Sequence, residues 1–203
     1  MNTIFLLLFT LLTANAAEYT LHSSVKDGAS VKFHEFEGPG AFDSYLSMNL
    51  PFAPMKELFQ QVVASENIQL TTRGEAHITV ITPVEYWNLI RPYGVTMDEI
   101  NKIARTRNIQ FSKFEVICLG LGAIVINDHL EKTFYVVVSS NDLIQIREQV
   151  QKLLVSKGGN GSGFDPLAFY PHITLGFTKR DLHESDGIIK NEASCVSSIT
   201  VIP

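Results

Sequence analysis

Two stretches of this chain, Glu75–Thr82 (EAHITVIT) and Tyr170–Thr178 (YPHITLGFT), alternate polar and aliphatic residues around the same tripeptide, His-Ile-Thr. Successive side chains of a β-strand point to opposite faces. As strands, these stretches bury Ile78 and Val80 in one and Ile173 and Leu175 in the other. His77 and Thr79, and likewise His172 and Thr174, are then presented side by side on the opposite face. No other feature constrains the fold as much, because two strands of one pattern call for an architecture with two equivalent places to put them.

The tripeptide by itself decides nothing. His-x-[Ser/Thr] also occurs at His22-Ser23-Ser24 and His183-Glu184-Ser185, outside any alternating strand. Seen singly, either strand histidine reads as a satisfied polar group on a half-buried sheet; the matched pair is what favours a functional site. His22, His34, His129 and His183 lack matching partners and read as surface or packing residues.

The surroundings supply the rest of the fold. Ser44–Asn49 reads as a strand ended by Pro51 and Pro54, followed by a helix with Met55, Leu58, Phe59, Val62 and Val63 on one face. Thr96 and Glu99 have capping-box spacing ahead of Ile100, Ile103 and Ala104, which predicts a second helix. Phe114–Leu121 and Thr133–Ser139 read as an antiparallel pair with a turn at Asn127-Asp128. Asn141 is placed to cap a helix carrying Leu143, Ile146, Val150 and Leu153. Lys157–Gly163 reads as a mobile glycine-rich loop beside the site; it lacks the Gly-Lys-Ser/Thr of a phosphate-binding loop. A polar stretch, Lys179–Asn191, precedes a terminal strand, Val196–Ile202. Hairpin-linked strands mixed with helices indicate an α+β fold with antiparallel sheet rather than a doubly wound parallel one. The repeated strand–helix–His-Ile-Thr order suggests two similar lobes.

With 203 residues, 45% of them hydrophobic, the chain has material for one sizeable core or two small lobes. Residues 1–16 hold an apolar run, Ile4–Leu12, and then Ala14-Asn15-Ala16, an A-x-A-like cleavage site. They read as a signal peptide, which makes 17–203 the single mature domain of a secreted protein without a membrane anchor. The n-region lacks Lys and Arg, so an uncleaved anchor or a buried strand is the alternative. A formal charge of −5 disfavours duplex DNA and other long polyanions. The expected partner is a nucleotide or a short RNA end, met by a monomer. Cys118 and Cys195 read either as one disulfide or as two buried small hydrophobes, and Asn160-Gly161-Ser162 is a glycosylation sequon.

The pair of motifs resembles that of the 2H phosphoesterase superfamily, through EAHITVITP, FEVICLGLG and FYPHITLGFT, over roughly residues 40 to 203. The resemblance implies a bilobal α+β fold, with two pseudo-symmetric antiparallel-sheet lobes and flanking helices around a central cleft. It also implies a hydrolase acting on 2',3'-cyclic phosphates, other cyclic nucleotides or 2'-5'-linked oligonucleotides, without metal or other cofactor. His77 and His172 serve as general acid and base in either order, and Thr79 and Thr174 donate to the non-bridging phosphate oxygens. Tyr170 shares the parity of His172 and either stacks on a base or sugar or packs beside Pro171. Tyr86 and Trp87 read as core residues and Arg73 as a solvated loop charge. A non-catalytic module that captures a cyclic nucleotide or RNA end is the alternative function. Two histidines in matched context fall short of a usual metal-ligand set.

Overall fold

The computed structural model describes residues 18–203, so the expected signal peptide, residues 1–16, lies outside the described residues. The chain folds around two units of the same plan. In the first, strand β2 (Leu46–Leu50) leads through helix α1 (Phe52–Glu66) to strand β3 (Ala76–Ile81), which pairs antiparallel with β2. In the second, strand β5 (His129–Ser139) leads through helix α4 (Asn141–Ser156) to strand β6 (His172–Phe177), antiparallel to β5. The two His-Ile-Thr strands therefore hold equivalent positions: His77 pairs across from Asn49, and His172 across from Val137.

Between the units lie the helical turn α2 (Pro83–Glu85), helix α3 (Met97–Thr106) and strand β4 (Glu115–Ile126). Thr96 and Glu99 form the expected capping box. A second one, Thr82 with Glu85, starts helical turns running to Tyr93, in a stretch to which the sequence assigned no element. Strand β4 and β5 form a hairpin longer than expected, closed by Asn127 and Asp128 with φ of 49° and 62°. Two successive left-handed residues match the right-handed twist of the flanking strands. The cap of α4 is Ser140 rather than Asn141: its Oγ accepts from Leu143 N and donates to the Lys113 carbonyl, leaving Asn141 inside the helix.

The terminal strand expected at Val196–Ile202 is two strands. Strand β7 (Cys195–Ser197) joins β4 to complete a four-stranded sheet ordered β6-β5-β4-β7, and a disulfide between Cys118 and Cys195 fastens that edge. Strand β8 (Ile199–Ile202) pairs parallel with β1 (Tyr19–His22), the one parallel pairing among the described residues. Strand β1 is only four residues long, with Tyr19 and Leu21 buried in alternation.

The architecture is α+β with predominantly antiparallel sheet. Its two units are unequal, one sheet of two strands against one of four; one large apolar core runs through both, and Cys118, Tyr135 and Val137 form a small second cluster. Ile78, Val80, Ile173 and Leu175 belong to the large core alongside Leu58, Val62, Ile146 and Val150 from the covering helices. Each fully buried aliphatic side chain of this kind contributes about 1.5–3 kcal/mol. The units are joined where Thr71 and Phe177 exchange both backbone hydrogen bonds, at 2.8 and 3.0 Å. Gly176 permits this approach, because a Cβ there would stand 2.7 Å from the Phe59 ring and 3.1 Å from the Thr71 carbonyl oxygen.

Candidate active site

Strand β3 delivers the alternation read from the sequence. Ala76, Ile78 and Val80 are buried, whereas His77 and Thr79 are only partly so. The cross-strand pairs Asn49–His77 and Ser47–Thr79 place two buried polar side chains of β2 on that same face. Glu75, two residues before His77, puts Oε1 3.1 Å from His77 Nδ1. The N–H direction is off the line to the oxygen, so this is a close charge contact rather than an aligned hydrogen bond. His77 holds the Glu75 carboxyl below its usual range, and the Tyr45 ring lies 6.0 Å from the imidazole.

Strand β6 repeats the pattern, with Ile173 and Leu175 inward and His172 and Thr174 on the other face. His172 Nδ1 lies 2.8 Å from the Tyr170 carbonyl oxygen. A carbonyl only accepts, so Nδ1 carries the proton in this contact and, in the neutral ring, Nε2 keeps its lone pair. The Tyr135 ring meets the imidazole edge-on at 5.8 Å. Burial first, and then the charge of Lys190, push the His172 pKa down to about 3. The charge of His77 acts in the same direction, as the smallest of these effects.

Thr174 Oγ1 donates to Asp181 Oδ2 at 3.1 Å, and Arg73 reaches over from the segment before β3 to the same oxygen at 3.0 Å. The other carboxylate oxygen accepts from Lys190 Nζ at 2.8 Å, and that ammonium sits 5.3 Å from the Tyr135 ring centroid. Asp181 and Lys190 are both buried. Arg73 is thus not a solvated loop charge: it spans the two units and ends beside the second motif.

A second buried ion pair fixes the approach to His172. The Arg147 guanidinium, 1% exposed, donates to both carboxylate oxygens of Glu85 and to the carbonyls of Val80, Asp165, Pro166 and Ala168. It lies between the rings of Phe164 and Phe169. One side chain therefore ties the end of β3 to the segment that leads into Tyr170 and His172.

The expected site residues divide as follows. His77 and Thr79 occupy one strand face and His172 and Thr174 another, linked through Arg73 and Asp181. Tyr170 is 37% exposed, and its carbonyl is what holds His172. Tyr86 is buried, whereas Trp87 is only partly so, against Phe42 and under Arg91. The glycine-rich loop is bound to α4, with Gln151 Nε2 donating to the carbonyls of Gly161 and Phe164, and its hydrogen bonds run to neither motif. Glu75, Tyr135, Asp181 and Lys190 were missed. Parity with His77 could have found Glu75, and nothing in the polar stretch 179–191 singles out Asp181 or Lys190.

A surface concavity of about 480 Å³ adjoins the first motif, with Glu75, Asn49, His34, Phe36 and Phe52 in its walls. A second, of about 320 Å³, lies away from both motifs between Lys26 and Glu115. Among the described residues no three His, Cys, Asp or Glu side chains are grouped to hold a metal ion.

A family model described as "Swiss Army Knife, 2H phosphoesterase domain" matches residues 44–183, most of the chain and both motifs. No curated protein and no solved structure matches the chain.

Proposed function

The chain belongs to the 2H phosphoesterase family, and on that premise we propose that it is a metal-independent phosphodiesterase opening 2',3'-cyclic phosphates or cleaving 2'-5'-linked or cyclic nucleotides with His77 and His172 as an acid–base pair. The single observation that carries this reading is the unlike support of the two imidazoles. His172 holds its proton on Nδ1 toward the Tyr170 carbonyl, which leaves the Nε2 lone pair to take a proton from an attacking water. His77 has the Glu75 carboxylate against it, the counter-charge an imidazolium uses, and so serves as the acid that protonates the leaving ester oxygen.

Thr79 and Thr174 stand two residues beyond the histidines on the same strand faces; the Thr79 hydroxyl donates to a non-bridging oxygen as charge builds on phosphorus, and that of Thr174 does so on turning from Asp181 to the phosphate. Exposed Tyr170 is placed to stack on a base or sugar. Residues 1–16 act as a secretion signal and the mature monomer works outside the cytosol, a placement that the Cys118–Cys195 disulfide supports.

The test is phosphorus NMR of a 2',3'-cyclic nucleotide incubated with the protein in excess chelator. The expected result is steady conversion to a ring-opened monophosphate. Bound but unchanged nucleotide would instead assign the chain to the capture modules, and conversion abolished by the chelator would overturn the metal-free chemistry.

A further inference from the structure

We infer that Asp181 sets the charge of the ligand this site accepts, holding the phosphate-binding face at one net positive charge, which suits a phosphodiester monoanion and disfavours a phosphomonoester dianion. The inference rests on the proposed function for the identity of the phosphate-binding face. Two cations, Arg73 and Lys190, converge on one carboxylate, and that carboxylate also holds the Thr174 hydroxyl. A structural ion pair needs one partner. Here the anion takes two and also accepts from the hydroxyl assigned to the ligand, so it lies directly beside the phosphate-binding face.

The count is that of the three groups in direct contact, Arg73, Lys190 and Asp181. Arg180 is paired with Asp186 through both carboxylate oxygens, and the Glu131 carboxylate accepts from Thr178 Oγ1. His172 is neutral and His183 is held below its usual pKa, first by burial. Glu75 lies 3.1 Å from His77 Nδ1 at the start of β3.

A diester brings one negative charge and neutralises the face. When water's oxygen bonds to phosphorus and one ester P–O bond breaks, the leaving oxygen takes a proton and the product is a monoester. Above its second pKa of about 6 the monoester loses a further proton to solvent and carries two charges. Its surplus charge then faces a buried carboxylate, where uncompensated charge is costly. Asp181 thereby favours substrate over product and hastens release.

The probes are 2'-deoxyadenosine 3'-monophosphate and its methyl diester, which differ by one methyl group and one charge, titrated calorimetrically at about pH 8, where the monoester is a dianion. Asp181→Asn keeps a carbonyl acceptor for Lys190 and raises the face to two positive charges. The expected result is that affinity for the monoester rises relative to the diester by about tenfold. Lys190→Gln, with no net charge, shifts the ratio about tenfold the other way. The double variant, back at one positive charge, returns to within about threefold of the wild-type ratio and leaves no buried ammonium unpaired should Asp181→Asn fail to fold.

If Asp181 is only a structural anchor, the two affinities fall together and the double variant restores nothing; that result, or failure of wild type to bind either probe, overturns the inference. A protein that shows the expected ratios yet opens no cyclic phosphate refutes the proposed function and leaves the charge count standing. A working hydrolase whose ratio does not move refutes the charge count alone.

Discussion

Arg147→Met removes a guanidinium whose five N–H groups, one of them shared, reach six acceptors, and which exposes only 1% of its surface. At about 1.5–3 kcal/mol per charge-assisted bond, the gross sum reaches the whole stability of a domain, which is about 5–15 kcal/mol. That sum ignores what it costs to bury the guanidinium. Removing one partner of a buried ion pair costs about 3–5 kcal/mol, chiefly because the other charge is stranded. Here the stranded groups are the Glu85 carboxylate and the carbonyls of Val80, Asp165, Pro166 and Ala168. Glu85 keeps its capping contact with Thr82 N, which softens the loss, so about 4 kcal/mol is the expected destabilisation. With a urea slope of about 2 kcal/mol per molar, the unfolding midpoint falls by about 2 M. Arg147→Lys, keeping the charge but not the planar fork, should lie between the two. A midpoint lowered by less than about 0.5 M in Arg147→Met would refute the reasoning and show the network to be energetically idle.

Lys190→Met removes the second-largest cause of the depressed His172 pKa, so the acid limb of kcat/KM should move upward in pH, from about 3 toward the ordinary histidine value; an unmoved limb counts against His172 as the base. Because the folded state binds fewer protons at His172 than the unfolded chain does, this residue's contribution to stability is complete above about pH 6.5 and lost as pH falls through about 3, which denaturant midpoints across that window measure. Reducing Cys118–Cys195, a cross-link spanning 77 residues, should cost about 2–4 kcal/mol and lower the melting temperature in the presence of a thiol reductant. Gly176→Ala places a methyl group 2.7 Å from Phe59 where the two units meet and should destabilise by about 1–3 kcal/mol in denaturant titrations.

Strand alternation made the two histidine strands legible, since burial on one face writes Ile78, Val80, Ile173 and Leu175 into the sequence with period two. The helices over them were legible for the same reason at period 3.6, and Thr96–Glu99 because a capping box is local. What escaped depends on contacts distant in sequence. Strand β1 pairs with residues some 180 positions further along, and its alternation of Tyr19 and Leu21 with Thr20 and His22 is too brief to set it apart. Arg73 and Asp181 lie 108 residues apart and look like ordinary surface charges until the fold sets them 3.0 Å from each other. Arg147 sits in an apolar helix face, where its burial depends on a loop whose carbonyls all point one way. Composition marked the glycine-rich segment as a loop but gave no sign of its tie to α4, where Gln151 donates to the Gly161 carbonyl.

The central claim, that His77 and His172 act as one acid–base unit, is tested most directly by the rate of 2',3'-cyclic nucleotide hydrolysis in wild type, His77→Ala, His172→Ala and the double variant. Groups acting in a single step do not add, so each single variant should lose at least about a thousandfold in kcat and the double should lose little more. A single variant keeping more than about a tenth of wild-type kcat, or a double variant whose loss is the product of the two single losses, would contradict it.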